Sequence, residues 1–299
     1  MSAGLDLKAY LDAHRATVDA ALDRVLPPET TAPTTIHRAM RYSVLAPGKR
    51  LRPILVIAGA EAVGGRAADV VDTACALELI HAYSLIHDDL PAMDDDDYRR
   101  GRLTSHKVFG EAMAILAGDA LLTLAFRLIA GNAARLTAPA VVGTVVAEVA
   151  DAAGTDGMVG GQVVDIESEG KAISAEMLDY IHLHKTAALI RAALRVGALL
   201  SGARAEQVEA ISRAGQALGL AFQIVDDILD VEGNLAELGK SAGSDERKKK
   251  ATYPSLHGLP ASKQRARELI EETKRLLSPL GPAADPIRAL ADFVFERRS

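Results

Sequence analysis

The stretch that decides the fold reads Ala74-Cys-Ala-Leu-Glu-Leu-Ile-His-Ala-Tyr-Ser-Leu-Ile-His-Asp-Asp-Leu-Pro-Ala-Met-Asp-Asp-Asp-Asp97. Its apolar first part predicts a helix, and its end carries aspartates that repel one another unless a cation neutralises them. Asp94 follows Asp88 by six residues, which is about 240° around a straight helix. The two carboxylates can therefore share an ion only if the helix unwinds or bends, and Pro91 lies where that can happen.

A second group of acids lies in the run Phe222-Gln-Ile-Val-Asp-Asp-Ile-Leu-Asp230. Asp226 and Asp230 are four residues apart and share one helix face, with Asp227 beside them. Three acids in an otherwise apolar helix are costly without counter-ions. Carboxylates without histidine or cysteine partners favour magnesium or calcium over zinc. If the two groups face each other across a cavity, they can hold several divalent ions. Taken alone, the first could be a solvated acidic loop and the second a structural ion-pair site.

Basic residues accompany the aspartates. The run Gly48-Lys-Arg-Leu-Arg-Pro53 places cations just before a predicted helix, and further cations come from Arg99-Arg100, His184-Lys-Thr186 and Lys240. Each of these alone is more often a surface charge. Together with carboxylate-bound magnesium, however, fixed Arg and Lys side chains in a cavity suit a substrate rich in phosphate.

Composition and spacing predict an all-α fold. Hydrophobic residues make up 49% of the 299 residues but aromatic residues only 4%, while Ala and Leu, which favour helices, are abundant. Apolar residues recur with helical spacing, and no segment combines strand alternation with hairpin turn residues. We therefore expect a single domain over residues 1–299. Its segment Ala205–Val231 is long enough for two helices or one bent helix, with Gly219 a candidate break.

Several partners and locations are disfavoured. A net charge of −6 argues against non-specific nucleic-acid binding, which needs a basic surface. The most apolar stretch, Ala112–Ala130, contains Asp119 and Arg127, so we expect a buried helix and no membrane span. The first 26 residues lack the apolar core of a signal sequence. The single cysteine, Cys75, lies in an apolar run, which predicts core packing and a cytoplasmic location.

These motifs make the chain similar to the trans-prenyl diphosphate synthases, and within that family to bacterial farnesyl diphosphate synthases. The matching runs, in chain order, are Gly48-Lys-Arg-Leu-Arg-Pro53, Leu85-Ile-His-Asp-Asp-Leu-Pro-Ala-Met-Asp94, Arg99-Arg-Gly101, Gly118-Asp-Ala-Leu-Leu122, Gly160-Gly-Gln162, His184-Lys-Thr186, Phe222-Gln-Ile-Val-Asp-Asp-Ile-Leu-Asp230, Leu238-Gly-Lys240 and Lys250-Ala-Thr-Tyr-Pro254. The resemblance implies an isoprenoid-synthase-type bundle of antiparallel helices around a deep apolar cavity, and a homodimer. It also implies that isopentenyl diphosphate is joined to dimethylallyl or geranyl diphosphate.

The resemblance further implies a role for each matching residue. Two magnesium ions would be bound by Asp88, Asp89 and Asp94, and a third by the group Asp226, Asp227 and Asp230; manganese can substitute. The allylic diphosphate would contact Arg99, Lys185, Gln223 and Lys240, with Lys250 as a further lid contact. The diphosphate of isopentenyl diphosphate would bind Lys49, Arg52, His81 and Arg100. The allylic carbocation would be steadied by Lys185, Thr186 and Gln223. The lid departs from the family pattern, because Lys249 stands for a common Gly and Ser244 for a common Lys.

Product length in the family depends on the residues four and five positions before the first aspartate motif, here Ser84 and Tyr83. The bulky ring of Tyr83 implies an early stop and hence a fifteen-carbon product, farnesyl diphosphate; otherwise this ring only packs against a neighbouring helix. The alternatives are a geranylgeranyl diphosphate synthase and a non-catalytic partner subunit of a prenyl synthase. Such subunits tend to lose the aspartates. A terpene cyclase typically lacks the basic pair Lys49 and Arg52, and a calcium-binding scaffold has no need of Lys185.

Overall fold

A computed structural model describes residues 5–136, 138–232 and 251–296. In chain order the elements are α1 (Leu7–Val25), α2 (Thr34–Val44), α3 (Leu51–Glu61), α4 (Ala67–Asp88), β1 (Tyr98–Arg99), β2 (Arg102–Leu103), α5 (Ser105–Phe109), α6 (Glu111–Gly131), α7 (Val141–Ala153), α8 (Met158–Ser168), α9 (Ala175–Ile181), α10 (Ala188–Leu200), α11 (Ala205–Glu232), α12 (Tyr253–His257), α13 (Leu259–Leu276) and α14 (Asp285–Glu296). A π-helical turn, His182–Ala187, joins α9 to α10, and 3₁₀ turns cover Asn132–Arg135 and Ser278–Ala284. The predicted all-α fold is confirmed.

The helices surround a hydrophobic core in which α3 is central. Every residue from Pro53 to Ala60 is buried, as expected of a helix that is apolar on all sides. Helix α3 packs against α4 and α10, α4 packs along α6, and α11 packs against α10 and α13. Cys75 is fully buried within α4, as its apolar surroundings predict. This arrangement gives α4 different neighbours on its different faces.

In the part of the chain that the structure describes, strands occur in one small hairpin, where Tyr98 pairs with Leu103 and Arg99 with Arg102. The sequence shows no strand alternation at this place. Strands of two residues are too short to show alternation. At the turn, Arg100 and Gly101 have φ angles of 54° and 75°, the positive values that a type I′ hairpin requires.

Helix α11 runs without interruption from Ala205 to Glu232, so the candidate break at Gly219 was wrong. A Cβ atom at Gly219 would lie 2.6 Å from the Cα of Ala187, the last residue of the π-helical turn. The missing side chain therefore permits a close approach of α11 to this turn. That approach brings the His184-Lys-Thr186 motif beside the second aspartate run.

Helix α6 is only partly buried. The segment Glu111–Arg135 is long and apolar enough to cross a membrane by length and composition, with a mean hydropathy of 1.8 in its most apolar window. Core helices of soluble proteins pass the same test, and Ala114, Ala117 and Leu121 are fully buried here. Ile115 and Leu116, however, are 44% and 53% exposed. The expected buried helix is thus buried on its inner face and exposed on its outer face, and the absence of a membrane span stays a prediction.

Candidate active site

The first aspartate motif lies where α4 ends. The last helical residue is Asp88, and Asp89 caps the helix. The chain then folds back, so that the backbone N–H of Asp94 donates to the carbonyl of Asp88 at 2.8 Å and that of Asp95 donates to the carbonyl of Leu90 at 3.1 Å. This turn includes Pro91 and confirms that the helix has to end before Asp94 can return to Asp88.

The carboxylate of Asp88 lacks full compensation of its charge. Its pKa is raised to about 6 by burial, with repulsion from Asp94 and Asp89 adding to the effect, while Lys185 and Arg99 oppose it. Asp94 and Lys185 therefore both lie near Asp88, although they come from different parts of the chain. Closely spaced carboxylates that repel one another are a donor set that fits magnesium, because a divalent cation removes the repulsion and prefers such oxygens.

Asp89 faces a different direction from Asp88. It is 3% exposed and accepts a hydrogen bond of 2.6 Å from Nε of Arg99. Burial raises its pKa, and Arg99 opposes that shift. The structure thus places Asp89 in an ion pair with Arg99 and on the wall of a cleft beside α4.

This cleft lies between α2, α4 and the hairpin. Its wall includes His81, Asp89, Arg99 and Arg100. The pKa of His81 is held well below 6.5 by burial and then by the charges of Arg52, Arg100, Arg99 and Arg50, so its imidazole is neutral. Three predicted ligands of isopentenyl diphosphate, Arg52, His81 and Arg100, thus lie close together, and Lys49 is exposed nearby in sequence.

Within the cationic group that Arg52, Arg99 and Arg100 form around His81, Nε of Arg52 is buried and has no hydrogen-bond partner among the described residues. Burial lowers its pKa to about 10; the charge of Glu78 opposes this shift and that of Arg100 adds to it. A buried donor without an acceptor is costly, and a cluster of cations around it is more so. The site therefore suits an anion with several oxygens, such as a diphosphate.

Arg50, two residues before Arg52, has a structural role, because its charge is paired within the protein. It is 4% exposed and forms ion pairs of 2.9 Å with Glu78 and 2.7 Å with Asp19. It also donates to the carbonyl of Ala46 at 3.0 Å. Its donors are thus used within the protein, and Arg50 ties α1, α4 and the start of α3 together.

Lys185, Thr186 and Gln223 are brought together by the π-helical turn and α11. The Nζ atom of Lys185 lies 2.6 Å from Oδ2 of Asp165, and the hydroxyl of Thr186 donates to Oε1 of Gln223 at 2.8 Å. The sequence-based prediction missed Asp165 on α8. A signal was present, because Asp165 is the single charged residue between Met158 and Ile166. Segments with π-helical geometry are frequent at functional sites.

The second aspartate motif divides into two parts. Asp226 and Asp230 are half-buried and lie one turn apart on α11, as predicted. Asp227 is 4% exposed, and its Oδ2 accepts the backbone N–H of Tyr253 at 2.8 Å and lies 3.3 Å from Nε2 of His182. Protein donors thus surround Asp227, although the sequence pattern grouped it with its neighbours as a metal ligand.

The predicted chain-length residues lie on the side of α4 near α6. Tyr83 is 7% exposed, and its ring meets His87 edge-on with centroids 5.7 Å apart. The Nε2 atom of His87 is 3.1 Å from the carbonyl oxygen of Ile115 in α6. Burial, and then the charge of Asp88, raises the pKa of Tyr83 to about 12, which places its ring close to the aspartate motif. Ser84 donates to the carbonyl of His81 at 3.0 Å.

A further cluster comprises Asp95, Asp97 and His106, whose possible ligand atoms lie within 4.8 Å of one another. Lys107 pairs with Asp97 at 2.7 Å and supplies a positive charge there. The predicted ligands Lys240 and Lys250 lie outside the described residues, so their roles stay predictions.

Comparisons with known proteins agree with this geometry. The Polyprenyl synthetase family model matches residues 33–277. A dimethylallyltranstransferase of Fischerella ambigua is 47% identical, over 99% of this chain and 85% of its own. A geranylgeranyl diphosphate synthase of Cyanophora paradoxa is 46% identical, over 100% of this chain and 99% of its own. The crystal structure of an FPP/GFPP synthase from Zymomonas mobilis is 34% identical, covers 97% of this chain and 99% of its own, and has a TM-score of 0.87.

Proposed function

The chain belongs to the polyprenyl synthetase family, and we propose that it condenses isopentenyl diphosphate with dimethylallyl or geranyl diphosphate to give farnesyl diphosphate. The observation that carries this proposal is the presence of two complementary sites at one end of α4. Asp88 and Asp94 with Lys185 form one, and the cationic group around the unpartnered Nε of Arg52 forms the other. The first suits a metal-bound diphosphate and the second a diphosphate without metal.

Asp88, Asp94 and Asp226 would hold magnesium, three ions per site in this proposal, with manganese as a substitute. When bound, magnesium supplies positive charge that stabilises the departing pyrophosphate. Lys185, fixed by Asp165, adds charge beside Asp88. Arg52, Arg100 and the neutral His81 donate hydrogen bonds to the diphosphate of isopentenyl diphosphate, and Lys49 extends that site toward solvent.

The reaction proceeds by charge separation. The bond between the allylic carbon and the diphosphate oxygen breaks, leaving an allylic cation that the oxygens of Thr186 and Gln223 stabilise. The isopentenyl double bond attacks this cation and forms the new carbon–carbon bond. The resulting cation loses a proton to pyrophosphate, so the atoms balance without a protein base.

Tyr83 supports the fifteen-carbon product, because its buried ring is close to Asp88 and would block a longer chain that passed there. A twenty-carbon product is the second candidate, and the similarity to the geranylgeranyl diphosphate synthase of Cyanophora paradoxa favours it. A non-catalytic partner subunit is less well supported, since the aspartates of both motifs are intact.

The test is incubation of the purified protein with isopentenyl and geranyl diphosphates, with and without magnesium, and identification of the products by mass. We expect a magnesium-dependent farnesyl product, a longer product from Tyr83→Ala, and an unchanged product from the control Tyr83→Phe, which keeps the ring. Geranylgeranyl diphosphate from the unmodified protein would refute the role of Tyr83 and leave the condensation intact. The absence of any condensation would refute the enzymatic proposal.

We also propose a homodimer that covers the outer face of α6. Ile115 and Leu116 are exposed there on a helix of high hydropathy, and a second copy of the chain offers a matching apolar face. Light scattering coupled to gel filtration should give twice the mass of 31.5 kDa. Leu116→Glu should give monomers, whereas Thr144→Glu, on the exposed side of α7, should not. A monomeric unmodified protein would refute this assembly.

We also propose a cytoplasmic location. The single cysteine, Cys75, is buried and cannot form an intrachain disulfide, and a chain without disulfides is typical of the reducing cytoplasm. Fractionation of cells that produce the tagged chain, with detection in the soluble cytosolic fraction, would test this proposal. Recovery of the chain with membranes would contradict it.

A further inference from the structure

We propose that Asp227 is a positioning residue and not a metal ligand: its carboxylate fixes Gln223, and through Gln223 the hydroxyl of Thr186, toward the reacting carbons. This inference rests on the proposed condensation for its functional part. Its structural part, a connection between α11, the π-helical turn and the start of α12, is independent of the reaction.

The carboxylate of Asp227 is enclosed by protein groups. Asp227 is 4% exposed, whereas its sequence neighbours Asp226 and Asp230 are half-buried. Oδ2 accepts the backbone N–H of Tyr253 at 2.8 Å and lies 3.3 Å from Nε2 of His182, and Oδ1 lies 3.4 Å from Nε2 of Gln223. Both oxygens therefore have donors from the protein, and a metal ion would have to displace them.

The hydrogen bonds from Asp227 through Gln223 to Thr186 have a fixed direction. An ionised carboxylate only accepts, so the Gln223 amide has to turn its NH₂ group toward Asp227. Its carbonyl oxygen Oε1 then faces Thr186, and Thr186 has to donate its hydroxyl proton at 2.8 Å. The lone pairs of the Thr186 oxygen are left to point elsewhere. This is the orientation that stabilises a nearby carbocation, whereas a hydroxyl proton directed at the cation would destabilise it.

Asp227 links elements from three parts of the chain. His182 begins the π-helical turn and stacks on the ring of Tyr253, with centroids 5.9 Å apart and an angle of 21° between the planes. Tyr253 follows Thr252, which caps α12. Loss of the carboxylate would release the Tyr253 backbone and His182 together, and would leave buried donors without an acceptor.

The experiment compares Asp227→Asn with Asp226→Asn, a neighbour with the same chemical change. For Asp227→Asn we expect kcat to fall by about tenfold to a hundredfold, as for other residues that orient reactive groups. The KM for isopentenyl diphosphate and the magnesium concentration for half-maximal rate should change less than about twofold, since neither ligand touches Asp227. Asp226→Asn should instead raise the magnesium requirement.

A double-mutant cycle separates positioning from general weakening of the fold. If Asp227 acts through Gln223, then Gln223→Ala should abolish most of the further effect of Asp227→Asn on kcat. Additive effects, or a raised magnesium requirement in Asp227→Asn, would overturn the proposal.

The structural part of the proposal can be tested without substrate, so the test holds even if the chain does not catalyse the proposed condensation. In EDTA, Asp227→Asn should lower the urea midpoint of unfolding, because its carboxylate connects α11, the π-helical turn and the start of α12. Equal midpoints for Asp227→Asn and the unmodified protein would overturn the structural part. Failure of the unmodified protein to form product would overturn the proposed function and leave this result standing.

Discussion

Arg50 and Arg52 are two residues apart in one basic motif, and their substitution by methionine should have opposite consequences. Arg50→Met leaves Glu78 buried at 4% exposure without its partner. Removing one member of a buried ion pair costs about 3–5 kcal/mol. We therefore expect Arg50→Met to lower the free energy of unfolding by about 4 kcal/mol, a large part of a typical stability of about 5–15 kcal/mol. Arginine and methionine both carry a side chain that is unfavourable at the left-handed φ of 50°, so the substitution does not change the backbone strain at this position.

Arg52→Met also removes a cation, but it leaves the ion pair between Arg50 and Glu78 in place. Removing Nε of Arg52, a buried donor without an acceptor, should increase the free energy of unfolding by about 1–3 kcal/mol. The lost attraction to Glu78 offsets part of this gain. Stability should thus stay near that of the unmodified protein. Charge-assisted hydrogen bonds are worth about 1.5–3 kcal/mol, so the KM for isopentenyl diphosphate should rise by about tenfold to a hundredfold.

Urea unfolding followed by circular dichroism measures the first effect, and initial rates measure the second. Arg66→Met is the control, because Arg66 is fully exposed and pairs only with Asp69 on the surface; its midpoint should not change. The double substitution Arg50→Met with Glu78→Leu should recover much of the lost stability. A loss below about 1 kcal/mol in Arg50→Met, or an equal loss in Arg52→Met, would refute the assignment of separate roles.

Three further predictions concern the helices around the site. Gly118→Ala should destabilise the protein by about 1–3 kcal/mol in urea, because its Cβ would collide with the ring of His87; Gly131→Ala, at the open end of the same helix, should not, and equal midpoints would contradict this reasoning. Unfolded His81 takes up a proton near pH 6.5 but the folded form does not, so stability should fall below that pH. The free energy of unfolding of His81→Gln should fall less steeply with decreasing pH, with slopes that differ by up to about 1.4 kcal/mol per pH unit. Parallel curves for the two proteins would rule out this cause. Cys75, fully buried with its pKa raised to about 12, should react with thiol reagents only as fast as the protein unfolds, and fast labelling of the folded protein would disprove its burial.

Much of the fold and the aspartate motifs could be predicted because both depend on local chemistry. Helical spacing of apolar residues places most helices, and prolines mark their limits. The cost of carboxylates in an apolar helix predicts Asp88 and Asp226 as sites that need cations, and the metal sites stay predictions. The geometry of a helix alone required a break between Asp88 and Asp94, and the turn through Pro91 provides it.

The remaining features depend on contacts between distant segments, which spacing does not encode. The pattern placed Arg50 and Arg52 in one basic group, and only the position of Glu78 across the core separates them. The sequence suggests a helix break at Gly219 because glycine is intrinsically unfavourable in a helix. In the structure, this glycine permits a close contact with Ala187. Asp165 had a weak signal of its own, but its partner Lys185 lies 20 residues away.

The carboxylates at the end of α4 should reduce the stability of the metal-free protein, and the proposed binding of metal and diphosphate accounts for their presence. Asp88 is the last residue of the helix, where the backbone dipole is negative, and Asp94 returns beside it. Removing one of these charges should therefore stabilise the protein when no metal is bound. We expect Asp88→Asn to raise the urea midpoint in EDTA, by an amount on the order of 1 kcal/mol. With magnesium and a diphosphate the order should reverse, because only the unmodified site gains stability from binding. A lower midpoint for Asp88→Asn in EDTA would show that the carboxylate has a structural role, and that the repulsion at this helix end is already compensated within the protein.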